Sequence, residues 1–326
     1  MNVQGSSENK NSLSGIAVLL VSALVFGMTF VFQKQASEHL GAAAIVTLRF
    51  CIGAVALGVI FVLCDFFRKR KGLVRGRFNK RVLLGGFLCG VSLFVASVAQ
   101  QAGLETTTAG KAGFITAIYI VIVPVLGLLA GKRTRINVWY AVVVATAGFW
   151  LMSSIGDDVS VGDGDILVLA GSFCYALQIL FIDEFADGED PFRFAFAEFV
   201  TASVVGIPVM CVSGVPAPSD INAAIIPLLY MGLAASALGY GLQVVGQQKV
   251  NPATSTVLLS TESVVALLGG AIVLHESNSV AELGGCLLVF AGVFITQLQF
   301  GRRFLRVPRT APSLYERIFK RTPVLF

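Results

Sequence analysis

The chain has 326 residues, of which 56% are hydrophobic and only 13% are charged, and its formal net charge is +5. A soluble globular domain carries about 25% charged residues, so the composition excludes an ordinary soluble protein and indicates one that lies in a lipid bilayer. The positive charge requires no nucleic-acid partner, because the basic residues are expected to lie beside lipid headgroups.

Ten apolar stretches predict ten transmembrane helices, since a helix needs roughly 20 apolar residues to cross a bilayer. The predicted spans are 14–33, 42–64, 82–101, 112–130, 136–154, 164–182, 193–214, 224–246, 253–274 and 280–299. Residues 1–13 form a polar leader, and residues 300–326 form a basic tail. The first stretch is too long for a typical signal-peptide core. The sequence therefore predicts an all-α integral membrane protein.

Basic residues indicate the orientation of these spans. Eight lie in 65–81, three near 131–135 and seven in 300–326. With ten spans, all three segments fall on one side of the membrane, which the positive-inside rule identifies as the cytoplasm. We therefore predict a multi-pass protein of the cytoplasmic membrane with both termini in the cytoplasm.

The chain offers few metal ligands. None of the six cysteines forms a C-x-x-C pair, and only two histidines are present. We expect the cysteines to be small buried hydrophobic residues. We predict no metal and no cofactor.

An internal repeat relates the two halves of the chain. A shift of 149 residues places Ser22–Gly27 on Gly171–Ala176, and a shift of 143 places 103–133 on 246–276. Each unit contains five predicted spans, and an odd number inverts the second unit relative to the first. Inverted repeats around a central site are typical of secondary transporters.

The repeat also singles out positions where the halves differ. The shift places Arg49 on Glu198 and Tyr119 on Glu262. A purely structural position is expected to keep similar residues in both copies. The difference indicates that a specific ligand or ion requires these side chains.

Several motifs carry a family resemblance. They are Ser22–Gly27, Leu48-Arg49-Phe50, Lys111–Thr116 leading to Pro124, and Ser260–Ser263 leading to Leu274-His275-Glu276. With these motifs the chain resembles the EamA family of the drug/metabolite transporter superfamily over residues 14–299. It departs from the family pattern at Gly131-Lys132, where Gly-Glu is usual, and at Phe26, where Trp is usual.

The resemblance implies ten transmembrane helices in two inverted five-helix repeats, 14–154 and 164–299, around a central substrate path. It also implies transport of small organic metabolites such as amino acids.

Glu262 is the first candidate site residue, because an acid near the middle of a span costs about 2.5–3.5 kcal/mol to insert. It is expected to bind a substrate amine or a proton. Alternatively, it is a packing residue that hydrogen-bonds Ser260, Thr261 and Ser263. Ser260 and Thr261 are also candidate substrate- or proton-binding residues.

Arg49 and Glu198 form the second candidate pair. In one interpretation they hold the carboxylate and the amine of a substrate, or act as a gate. In the other interpretation, each side chain pairs with nearby backbone or headgroup oxygens and sets the depth of its helix in the membrane.

Lys111 and Tyr119 lie about two turns apart on the fourth predicted span, and so on roughly one face. Lys111 either attracts an anionic group or snorkels to the interface. Tyr119 either lines a cavity facing the Glu262 region or packs between helices. Four further residues have the same two interpretations: Tyr175, Gln178, Tyr240 and Gln243. The glutamines at predicted helix ends are assigned to solvation at the interface: Gln100, Gln101, Gln247 and Gln248.

One motif points to a different chemistry. Residues 162–165 match the G-x-G-D string of intramembrane aspartyl proteases, which need a second buried aspartate nearby. No other apolar span contains an aspartate well inside it, and no Walker or zinc-protease motif is present. We therefore predict that the chain is not an enzyme.

The sequence favours a secondary transporter that works by alternating access, with a small molecule and the lipid bilayer as its partners. An amino acid or related amine is the predicted substrate, because Arg49 and Glu262 offer opposite charges. The alternative is a membrane sensor or a lipid-handling enzyme that transports nothing. Assembly into a homodimer is left open.

Overall fold

The computed structural model describes residues 13–70, 78–130, 134–153, 162–276, 280–297 and 304–305. The polar leader up to residue 12, the Gly131-Lys132 departure and most of the basic tail lie outside these ranges. So do three of the basic residues predicted in the 65–81 loop, Lys71, Arg75 and Arg77.

The first half of the chain folds into six helices. These are α1 (Leu13–Ser37), α2 (Ala42–Arg70), α3 (Lys80–Leu104), α4 (Ala109–Thr116), α5 (Tyr119–Leu129) and α6 (Ile136–Ser153). A short strand, β1 (Thr134–Arg135), pairs antiparallel with β2 (Phe304–Leu305) near the other end of the chain.

The second half is also helical. Its elements are α7 (Asp163–Phe185), α8 (Pro191–Ser213), α9 (Pro218–Ala223), α10 (Ile225–Leu229), a π-helix (Tyr230–Gly239), α11 (Tyr240–Gln247), α12 (Pro252–Leu259), α13 (Glu262–Val273) and α14 (Val280–Gln297).

Within the described residues, eight helical segments are long and apolar enough to cross a membrane. Two further apolar helices, Ile136–Gly148 and Leu283–Thr296, are shorter. The predicted helical membrane fold is confirmed, apart from the two-residue strand pair. The count of ten spans stays a prediction.

Local sequence explains where several helices begin. Asp190 accepts hydrogen bonds from the backbone of Phe192 and Arg193, and Pro191 occupies the first turn of α8. Pro252 similarly opens α12, as its sequence predicts. A side-chain acceptor satisfies amide groups that a helix start leaves unpaired, and proline needs no such partner.

Two predicted continuous spans are in fact broken. The break between α4 and α5 falls at Ala117–Ile118, and the break between α12 and α13 falls at Ser260–Thr261. At each break the backbone forms a hydrogen bond to the third preceding residue, as in a 3₁₀-helix. These bonds run from Ile118 N to Ile115 O (3.2 Å) and from Thr261 N to Leu258 O (3.3 Å). The two breaks differ by 143 positions, so the halves are interrupted at equivalent places.

The halves pack on each other through equivalent crossings. A side chain at Gly103 of α3 would collide with Val168 of α7, and one at Gly246 of α11 would collide with Leu19 of α1. The shifts of 143 and 149 residues place Gly103 on Gly246 and Leu19 on Val168, so the two crossings are equivalent. Glycine is required at both because no Cβ fits between the closely packed backbones.

The π-helix accounts for a one-residue change in the register of the repeat. Gly90 of α3 lies against the carbonyl oxygen of Glu198, and Gly232 lies equivalently against that of Arg49, which is a shift of 142. Beyond the π-helix the shift is 143. A π-type turn accommodates one additional residue within a helix, which is the difference observed.

The core lies where α2 meets α8. The rings of Phe50 and Phe199, which occupy equivalent positions, are both fully buried and meet edge to face with centroids 5.1 Å apart. Edge-to-face packing is a favoured arrangement of aromatic rings. The two halves therefore meet here through equivalent positions.

The prediction that all six cysteines are buried is wrong in part. All six are free, but only Cys89 and Cys286 are buried, and Cys211 is exposed. In a membrane helix an apolar side chain gains nothing from burial in protein over exposure to lipid, so apolar character did not predict burial.

Candidate substrate cavity

A cavity lies between the two halves and is lined by residues of both. The centre of a water molecule can reach about 50 Å³ of it. A site needs roughly 10–15 Å³ of such space to hold one water, so there is room for a few waters or a small organic molecule.

Equivalent positions of the two halves supply most of the cavity wall. The pairs related by 149 residues are Phe26 with Tyr175, Thr29 with Gln178, and Phe30 with Ile179. The pairs related by 143 residues are Gln100 with Gln243, Thr116 with Leu259, and Tyr119 with Glu262. The cavity therefore lies between equivalent positions of the two halves.

Glu262 and Tyr119 contact each other in this wall. The Tyr119 hydroxyl donates a hydrogen bond of 2.9 Å to Oε1 of Glu262, and both side chains are buried. Each residue begins the second part of a broken helix. The N-terminal end of a helix favours negative charge, so the break offsets part of the cost of the carboxylate.

The neighbouring hydroxyls do not satisfy Glu262. Ser260 and Thr261 donate to the carbonyl oxygens of Val257 and Leu258, both at 2.8 Å, and neither residue lines the cavity. The alternative in which adjacent Ser and Thr residues hold the acid is therefore not the arrangement found. Such bonds to the preceding turn often bend helices, which accords with the break at this point.

Arg49 brings a positive charge to the same cavity. Its side chain is 3% exposed, and its Nε has no hydrogen-bond partner within the described residues. The guanidinium carbon lies 4.8 Å from the centre of the Phe50 ring. An unpaired buried donor is rare in proteins, so this N–H group can donate to an anionic group, while the guanidinium also interacts with the Tyr175 hydroxyl in the cavity wall.

Glu198, the repeat equivalent of Arg49, does not line the cavity. It lies fully buried behind the wall, where Oε1 accepts a hydrogen bond of 2.7 Å from Nε2 of Gln178. Gln178 and Gln243 do line the cavity, as does Tyr240. Four of the predicted positions, Arg49, Gln178, Tyr240 and Gln243, therefore line one cavity, and Glu198 lies behind its wall.

Lys111 lies apart from this group. Its ammonium forms an ion pair of 2.7 Å with Asp165, whose side chain is 7% exposed. The break after α4 lies between Lys111 and Tyr119, and the two side chains contact different partners, Asp165 and Glu262. Asp165 belongs to the G-x-G-D string, and its pairing with a lysine is unlike the paired carboxylates of a protease.

The assignment of Gln100 to interface solvation is wrong. Gln100 is 4% exposed and lines the cavity, with hydrogen bonds to Thr116 (2.8 Å), Tyr175 (3.1 Å) and Gln33 (3.3 Å). Gln101 and Gln247 are also buried. The signal that identifies Gln100 is the repeat, because the shift of 143 places it on Gln243.

A cavity with charged side chains in its wall, between two equivalent halves of a helical membrane protein, is typical of a membrane transporter. The chain belongs to the EamA-like transporter family, whose model matches residues 13–154 and 163–298. The chain is 28% identical over 301 residues to an uncharacterized transporter of Archaeoglobus fulgidus, covering 91% of this chain and 90% of that protein.

Two other relatives carry more specific names. The threonine/homoserine exporter RhtA of Escherichia coli is 26% identical over 271 residues, covering 82% of this chain and 86% of that protein. RhtA of Salmonella typhimurium is 25% identical over 282 residues, covering 85% and 90% respectively. A solved structure titled only as a crystal structure of a protein matches the fold with a TM-score of 0.68 at 15% identity, covering 87% of this chain and 98% of that one.

Proposed function

We propose that the chain is a secondary transporter that moves an amino acid or related amine across the cytoplasmic membrane by alternating access. The observation that carries the proposal is the presence of Arg49 and Glu262 in the wall of one cavity. An amino acid has one carboxylate and one ammonium group, which these two side chains complement in charge. The chemistry of threonine and homoserine, named for the relatives, fits this pairing.

The inverted arrangement of the repeats and the count of ten spans belong to the same proposal. The equivalent breaks, equivalent crossings and equivalent wall positions support it, because two similar halves can rock about a site on their common axis. In this arrangement Glu262 binds the ammonium group of the substrate or a proton, and Arg49 binds the carboxylate. We infer that the chain catalyses no reaction, in keeping with the transporter names of its relatives.

A counterflow assay tests the proposal. The full-length protein is reconstituted into liposomes loaded with unlabelled L-threonine, and uptake of radiolabelled L-threonine is measured. We expect uptake well above that of protein-free liposomes, and loss of that uptake in Glu262→Gln. The matched control is Glu38→Gln, because Glu38 is exposed near the end of α1.

The substrate class is identified more broadly by comparing metabolites inside and outside cells that lack or overproduce the protein. Flux at background for L-threonine, L-homoserine and broad metabolite mixtures, with and without a proton gradient, would contradict transport. The alternative of a sensor or lipid-handling enzyme gains if Glu262→Gln and Arg49→Ala, at normal expression, both complement a deletion.

A further inference from the structure

Glu198 is a buried acid that the proposed transport step does not use. Its side chain is fully buried, and Oε2 has no hydrogen-bond partner within the described residues. Gly86 and Gly90 of α3 hold α8 close at this point, since a Cβ at Gly86 would collide with Ala197 and one at Gly90 with the carbonyl oxygen of Glu198. A carboxyl group kept so deep is costly, and packing alone does not account for it.

The other oxygen of Glu198 begins a chain of hydrogen bonds that reaches the cavity. Oε1 accepts from Nε2 of Gln178 at 2.7 Å, and Oε1 of Gln178 accepts from Nε2 of Gln243 at 3.4 Å. Both glutamines line the cavity. A carboxyl oxygen is a hydrogen-bond acceptor, which suits the orientation in the structure, where the amide nitrogen of Gln178 faces Glu198. The orientation of Gln243 then follows from that of Gln178.

We propose that Glu198 is a positioning residue that fixes the orientation of the Gln178 and Gln243 carboxamides. It thereby decides which amide atoms the cavity wall presents to a substrate. Without an acceptor at position 198, either amide can rotate by half a turn and exchange its oxygen for its nitrogen. Glu198 itself contacts no substrate.

The first half of the chain provides an internal comparison. Arg49 occupies the position equivalent to Glu198 but lines the cavity itself, and Thr29 occupies the position of Gln178. Gln100, the equivalent of Gln243, is held instead by Thr116 and Tyr175. The arrangement thus belongs to the second half alone, and Gln100 serves as a control amide that Glu198 should not affect.

Nuclear magnetic resonance of the side-chain amides tests the proposal without any substrate. The full-length protein is labelled with ¹⁵N-glutamine, and Gln178→Met and Gln243→Met identify the two signals. We expect Glu198→Met to shift the signals of both Gln178 and Gln243 and to leave that of Gln100 unchanged. Glu198→Gln retains an acceptor oxygen but adds an amide donor, so it should shift both signals less than Glu198→Met does. A shift confined to Gln178, or an equal shift at Gln100, would overturn the proposal.

Transport kinetics provide a second test, which rests on the proposed function. Glu198→Met is expected to raise KM for L-threonine by about tenfold with little change in kcat, since a hydrogen bond to a charged group is lost. Glu198→Gln, which retains an acceptor oxygen, should raise KM by less than Glu198→Met does. In a Gln178→Met background the same Glu198→Met change should have no further effect, because residues that act through one another are not additive.

The same rise in KM in both backgrounds would contradict action through Gln178. If the wild type moves no L-threonine, the proposed substrate fails, and the amide signals still decide the role of Glu198.

Discussion

The hydroxyl of Tyr119 donates a hydrogen bond of 2.9 Å to Oε1 of Glu262, and the repeat places these two residues at equivalent positions. One half of the chain supplies the donor and the other supplies the acid. In a perfectly symmetric protein these two residues would be identical, whereas here one is a hydrogen-bond donor and the other its acceptor. The asymmetry therefore lies where a substrate would meet both halves.

Tyr119→Phe removes that hydrogen bond and little else. A hydrogen bond to a charged group contributes about 1.5–3 kcal/mol, so we expect kcat/KM for L-threonine to fall about 10- to 100-fold in the liposome assay. Tyr140→Phe is the control, because Tyr140 is 58% exposed. Equal activity of Tyr119→Phe and wild type would show that transport does not need the donor.

Arg49→Met tests recognition of a carboxylate. We expect KM for L-threonine to rise at least about tenfold, because a charge-assisted pair is lost. Competition by L-threoninamide, which lacks the carboxylate, should change little. Arg70→Met is the control, since Arg70 is exposed at the end of α2 and stacks on Phe66. Equal weakening of both ligands would argue against a carboxylate contact.

Labelling of single cysteines tests the membrane orientation. In a cysteine-free background, Ser219→Cys precedes α10 and Lys249→Cys follows α11, and both positions are exposed. If both termini are cytoplasmic, a membrane-impermeant maleimide added to intact cells should label Ser219→Cys and should reach Lys249→Cys only after lysis. The reverse pattern would contradict the predicted orientation.

Added side chains at the two equivalent crossings should destabilise the protein by similar amounts. Gly103→Ala and Gly246→Ala force a Cβ against a neighbouring helix, and overpacking costs about 1–3 kcal/mol. We expect both variants to lower Tm by several degrees in detergent. Gly41→Ala is the control, because a Cβ there meets no atom within 4 Å. An unchanged Tm in either crossing variant would show that its backbones are not tightly packed.

Much of the candidate site could be predicted from the repeat. The shift of 143 residues paired Tyr119 with Glu262, and these side chains are in contact. The same shift pairs Gln100 with Gln243, but Gln100 was misassigned because it lies near the end of an apolar stretch. Distance from a predicted helix end is a poor measure of burial where the helix continues, and α3 extends to Leu104.

The sequence by itself determined that this is a helical membrane protein built from two related halves. Apolar length and the repeat are properties of the chain that need no knowledge of contacts. Only the tertiary structure decided that Arg49 reaches the cavity while its equivalent Glu198 lies behind the wall. The physical reason is that hydropathy gives only the depth of a residue in the membrane. The direction in which its side chain points depends on which helices pack against it.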